Sequence, residues 1–133
     1  MRFKKRTLKE LVGFVLKSPE KIISLAEKSI LEGDLESAIN LYEQAIEYHP
    51  LFSEPFNRLA SLVTDIDYKI HLYQQAIKID QSPFSYQELI KLFLLLGATP
   101  KARKTLEELK QVGSCDKNLF REMECLVTEI GRA

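Results

Sequence analysis

Apolar residues recur along this chain at helical spacing, and one helical stretch returns in altered form. Between Leu31 and Pro50 (LEGDLESAINLYEQAIEYHP), Ala38, Leu41, Tyr42, Ala45 and Ile46 fall at i, i+3, i+4, i+7 and i+8. That spacing stacks them on one helix face. Two of them are small and one is aromatic, so a neighbouring helix can come close at the alanines while the ring fills the space beside it. Gly33-Asp34 predicts the preceding turn, because glycine takes positive φ at little cost and aspartate caps the helix that follows. Pro50 predicts its end, having no amide to donate and restricting His49 before it.

The pattern then repeats. Leu25-Ala26, in the helix before the turn, returns as Leu59-Ala60 after 34 residues and as Leu89-Ile90 after a further 30. Tyr42 and Ala45 return as Tyr73 and Ala76 after 31 residues, then as Leu106 and Leu109 after 33. With Gly33-Asp34, Ala38 and Pro50 at matching places, the chain resembles the tetratricopeptide repeat (TPR) family. The resemblance implies an all-α fold: a right-handed α-α superhelix of three TPR-like helix-turn-helix repeats with flanking N- and C-terminal helices. The repeats fall at 19–52, 53–82 and 83–116, after a basic N-terminal arm and amphipathic helix at 1–18 and before a C-terminal capping helix at 117–133. The middle repeat departs from the pattern, with Thr64-Asp65 where the glycine turn belongs, Lys69 at a small position and Gln81 in place of proline.

Start and stop signals mark the elements. Ser18-Pro19, Ser53 with Pro55, Ser82-Pro83 and Thr99-Pro100 open helices, Asp65 or Asp67 caps the fourth repeat helix, and Asp116 caps the last. The third repeat's first helix holds Tyr86, Leu89, Ile90, Phe93 and Leu96 up to Gly97, and its mate carries Ala102, Leu106 and Leu109 to near Gly113. The final helix places Leu119, Phe120, Met123, Leu126, Val127 and Ile130 on one face, as expected of a helix that covers the end of a repeat array. At the other end, Thr7 and Glu10 form a capping box ahead of Leu8, Leu11, Val12, Val15 and Leu16. Packing on the first repeat is favoured for this helix over contact with a membrane surface, because an array must cover its ends.

Composition narrows the function more than the fold. The 133 residues are 45% hydrophobic, enough for a substantial core, and Lys+Arg and Asp+Glu both number 19, giving a net charge of zero. Residues 1–21 carry seven basic and two acidic side chains, residues 22–80 four and ten, and residues 81–133 eight and seven. The acidic middle repels phosphates, so no nucleic-acid partner is expected. Cys115 and Cys125 have no metal or redox spacing and read as reduced thiols in a cytoplasmic protein. The basic N-terminus lacks the apolar core and cleavage site of a signal peptide. Leu89–Leu96, the most apolar window, contains Lys91 and is too short to span a bilayer.

Nothing assembles into catalytic chemistry. There is no phosphate loop, HExxH, GxSxG or nucleophile motif, so no cofactor, metal or enzymatic activity is expected. His49 at a helix C-terminus, His71 on an outer helix, and Asp65 and Asp67 at a helix start are each explained by local structure.

The resemblance instead implies a concave groove lined by the first helix of each repeat. Carried over by position, its central residues are Ile23, Glu27, Ile30 and Leu31; Asn57, Arg58 and Ser61; and Gln87, Glu88, Lys91, Leu94 and Leu95. Glu20, Ser24, Glu54, Thr64 and Phe84 lie alongside. Phe93 to Leu96 sweep every side of one helix, and Phe93 and Leu96 are expected to pack within the repeat. Leu94 and Leu95 match Ile30 and Leu31 as an apolar strip that either a partner or a terminal helix covers. Some TPR proteins clamp a C-terminal carboxylate with lysine, asparagine and arginine. Here Ile23 and Glu27 stand at two of those places, and only Asn57, Arg58 and Lys91 are of suitable type. The expected role is a protein-protein interaction scaffold that binds a protein or peptide in the groove, with self-association as a further outcome. The alternative is a regulatory or targeting module of a larger enzyme, such as a transferase.

Overall fold

The computed structural model describes residues 18–112 and 116–132, for the last two of these the backbone alone. The helix expected from Thr7, its basic arm, Gly113 and Cys115 lie outside the described residues. Those residues form seven α-helices in the order α1 (Pro19–Leu31), α2 (Leu35–Tyr48), α3 (Glu54–Leu62), α4 (Ile66–Asp80), α5 (Pro83–Leu95), α6 (Thr99–Gln111) and α7 (Lys117–Arg132), with no strand among them. The chain divides into two compact units, Met1–Leu62 and Val63–Ala133, a boundary inside the predicted 53–82 segment.

In the first unit, α2 packs against both α1 and α3. The Ser18 hydroxyl accepts from the Lys21 amide and Pro19 occupies the first helical turn, so the start of α1 follows the sequence signal. At the other end of α1, the Asp34 amide donates to the Ser29 carbonyl at 2.8 Å and the Gly33 amide to the Ile30 carbonyl at 3.0 Å. This paired closure requires a left-handed residue, and Gly33 supplies it with φ +79°. Asp34 then caps α2 through its carboxylate, accepting from the Ser37 amide and hydroxyl. Ala26, Ala38, Ala45 and Ala60 are fully buried, with Tyr42 and Leu59 filling the space around these close approaches. Each large apolar side chain so buried contributes about 1.5–3 kcal/mol. Leu25 beside Ala26 is 40% exposed, whereas Ile22 is fully buried.

In the second unit, α5 packs against α4, α6 and α7. That explains why Ser85, Tyr86, Leu89, Ile90, Leu92, Phe93 and Leu94 are all buried: a helix apolar on every side needs neighbours on every side. The turn from α5 to α6 copies the first one, with the Ala98 amide donating to the Phe93 carbonyl at 2.8 Å, the Gly97 amide to the Leu94 carbonyl at 3.1 Å, and Gly97 at φ +72°. Leu96, expected in the core, lies beyond the end of α5 and is 48% exposed. Asp65 rather than Asp67 caps α4, accepting from the Tyr68 amide. Two expected caps differ in detail: Ser82 makes no side-chain cap bond, and Ala98, not Thr99, is the cap residue of α6. Asp116 accepts from the Asn118 amide at the start of α7, which packs against α6 and also reaches α5. Met123 and Val127 are its buried residues.

Candidate protein-interaction surface

The residues singled out by position lie on α1 and α3 in the first unit and on α5 in the second. On α1, Ile23 is 5% exposed and therefore packed rather than presented. Glu27 is exposed, Ile30 half-buried, and Leu31 stands 88% exposed at the helix end. On α3, Asn57 and Arg58 are half-buried and Ser61 is exposed, its hydroxyl donating to the Arg58 carbonyl.

Arg58 organises this face. Its Nη1 lies 2.7 Å from Glu27 on α1, its Nη2 2.8 Å from Glu54, and its Nε also donates to Glu54. Burial opposes the Arg58 charge more than any other single influence, yet the hydrogen bond and charge of Glu54, with Glu27 and Tyr42 adding, together hold its pKa above the usual arginine value. The Tyr42 hydroxyl below it is pushed up chiefly by burial, with Arg58 working the other way. The guanidinium thus has carboxylate partners from its own unit on two sides.

On α5, Gln87, Glu88 and Lys91 are half-buried, and Lys91 pairs with Glu88 at 3.7 Å. Leu95 is 84% exposed, but Leu94 is 7% exposed. Sequence position alone treated these two leucines alike. With three helices packed around α5, Leu94 is buried as Phe93 is, while Leu95 stands open at the helix end. Burial also raises the Tyr73 and Tyr86 hydroxyls, assisted by Glu88 and Glu108 respectively.

Sequence reasoning missed a cleft of about 610 Å³ whose lining comes from α4, α5 and α6. The only available signal was the lysine spacing on α6. His71 is exposed, and among the described residues no cluster of three or more His, Cys, Asp or Glu side chains is placed to hold a metal ion. No helix among them is long and apolar enough to cross a membrane.

No family model matches the chain, and no curated protein matches it in sequence. Solved structures match in fold. The first TPR of Spaghetti (RPAP3), solved bound to the HSP90 peptide SRMEEVD, aligns with a TM-score of 0.66 at 13% identity over 85% of this chain and 95% of that one. The Yersinia enterocolitica type III secretion chaperone SycD, in complex with a peptide of the translocator YopD, aligns with a TM-score of 0.68 at 19% identity over 97% and 98%. The Sgt2 TPR domain from Aspergillus fumigatus gives 0.62 at 17% over 86% and 82%. The chain therefore has a TPR-like, all-α helical repeat fold.

Proposed function

We propose that this protein is a non-catalytic interaction scaffold in which the first-helix face of either unit, α1 with α3 or α5, holds a peptide or helix of a protein partner. The observation that carries the reading is the exposure of Leu31 and Leu95, at 88% and 84%, at equivalent ends of α1 and α5. Large apolar side chains left this open are suited to a partner's apolar surface. The TPR-like fold supports the same reading, since RPAP3 and SycD were both solved with peptides bound.

The charges refine the partner's chemistry. Arg58 is held by Glu27 and Glu54, and Lys91 faces Glu88, so the cations that a terminal carboxylate would need are already compensated. Glu20, Glu27 and Glu54 outnumber Arg58 on the first unit's face. A neutral or basic internal segment with apolar anchors suits it better than an acidic C-terminus.

Selection of peptides from a random display library against the full chain tests the reading. Each selected peptide should lose affinity for either the Leu31→Asp or the Leu95→Asp variant, both of unchanged helicity, and should bind equally well when its C-terminus is amidated. Equal binding to wild type and both variants would overturn the assignment.

A further inference from the structure

The cleft lined by α4, α5 and α6 lies wholly within the second unit and is separate from the residues assigned above. Its apolar lining consists of the buried Leu89 and Phe93 of α5 and the half-buried Ile70 and Ile77 of α4. Its α6 wall carries Lys101 and Lys104, one helical turn apart, and the Lys101 ammonium lies 6.0 Å from the centre of the Phe93 ring. Like charges at this spacing repel, and among the described residues neither lysine has a carboxylate within ion-pair distance. Thr105 beside them is already satisfied, its hydroxyl donating to the Lys101 carbonyl at 2.8 Å.

We propose that this cleft is a second docking site, taking an acidic peptide that seats an apolar side chain against Ile70 and Ile77 and a carboxylate between Lys101 and Lys104. The carboxylate relieves the repulsion of the two ammonium groups, and the apolar side chain covers the two isoleucines. Asp67 and Glu108 also line the cleft. They repel a continuous polyanion such as a nucleic-acid backbone, so the fit is to a segment with its negative charge concentrated beside an apolar anchor. The exposed lysines set the orientation, and the half-buried Ile70 and Ile77 supply the apolar contact.

The test uses the full chain, labelled with nitrogen-15, and a blocked synthetic peptide carrying Leu-Phe between pairs of glutamates. Saturable amide shifts are expected at Phe93, Lys101, Lys104 and Thr105, weakening as salt is raised. Combined Lys101→Gln and Lys104→Gln substitution should cut affinity by about tenfold or more. Both side chains are exposed, so the circular dichroism of the variant should match wild type. Three outcomes overturn the proposal: a peptide with lysines in place of the glutamates binding as tightly, the double variant keeping wild-type affinity, or shifts confined to Asn57, Ser61 and Gln87. The last outcome would assign the peptide to the first-helix faces instead.

Discussion

Arg58 Nη1 lies 2.7 Å from Glu27 Oε1, tying α3 directly to α1 although both helices pack principally on α2. The two side chains are 41% and 47% exposed, so water and salt screen the pair, and its worth is at most about 1 kcal/mol. Glu27→Gln should therefore lower stability slightly at low salt and hardly at all at high salt. Arg58→Ala should cost more, because it leaves Glu27 and Glu54 facing each other without their shared cation. Thermal melts of both variants at two salt concentrations check this, and a gap that ignores salt would assign the effect to packing of the arginine stem.

Adjacent leucines on α5 should behave in opposite ways. Leu94→Asp places a carboxylate at a site that is 7% exposed and should cost about 3 kcal/mol or more. Leu95→Asp, at a site that is 84% exposed, should stay within about 0.5 kcal/mol of wild type. Urea denaturation of the two single variants separates them, and equal midpoints would contradict the packing around α5.

Asp34 predicts the acid limb of stability. The Ser37 hydroxyl first, and the Ser37 amide second, hold its carboxyl below the ordinary 3.8. A group whose folded pKa is depressed contributes stability above its unfolded pKa and loses it as pH falls through the folded one. The contribution should thus be complete above about pH 4 and fade below it. Asp34→Asn should flatten that part of the stability curve, as followed by melting temperature from neutral pH down to pH 2 or so. An unchanged acid profile would show that the cap does not titrate with folding.

Gln81 takes φ +53° at the end of α4, a left-handed conformation that favours glycine. Gln81→Gly should raise stability by about 0.5–1 kcal/mol, after allowing for the greater freedom of glycine in the unfolded chain. Gly33→Ala should lower it by about 1 kcal/mol through strain alone, since nothing lies within 4 Å of the added methyl. Chemical denaturation of both variants gives the two signs, and a loss of stability in Gln81→Gly would mean that its side chain matters more than its backbone.

Ala45 is fully buried in α2 at a close helix approach. Ala45→Leu should cost about 1–3 kcal/mol by overpacking. An unchanged denaturation midpoint would show slack that the buried alanines do not suggest.

How far the sequence alone reached can be followed residue by residue. Ser18, Asp34, Asp65 and Asp116 announce helix starts because a cap is satisfied by amides two or three residues away, and Gly33 and Gly97 announce turns because positive φ is a property of one residue. The buried alanines and Tyr42 were legible for a similar reason, since helical spacing places them on one face whatever packs there. Exposure on the other faces was not legible. Whether Ile23 and Leu94 are presented or packed depends on which helices lie beside them, and Leu31 and Leu95 share their apolar chemistry while standing open. The cleft over Phe93 and the Arg58 link from α3 to α1 join residues far apart in the chain. Local patterns carry caps, turns and periodic faces, because those arise within a few residues; tertiary packing alone decided which apolar side chains are left open and which charges find partners.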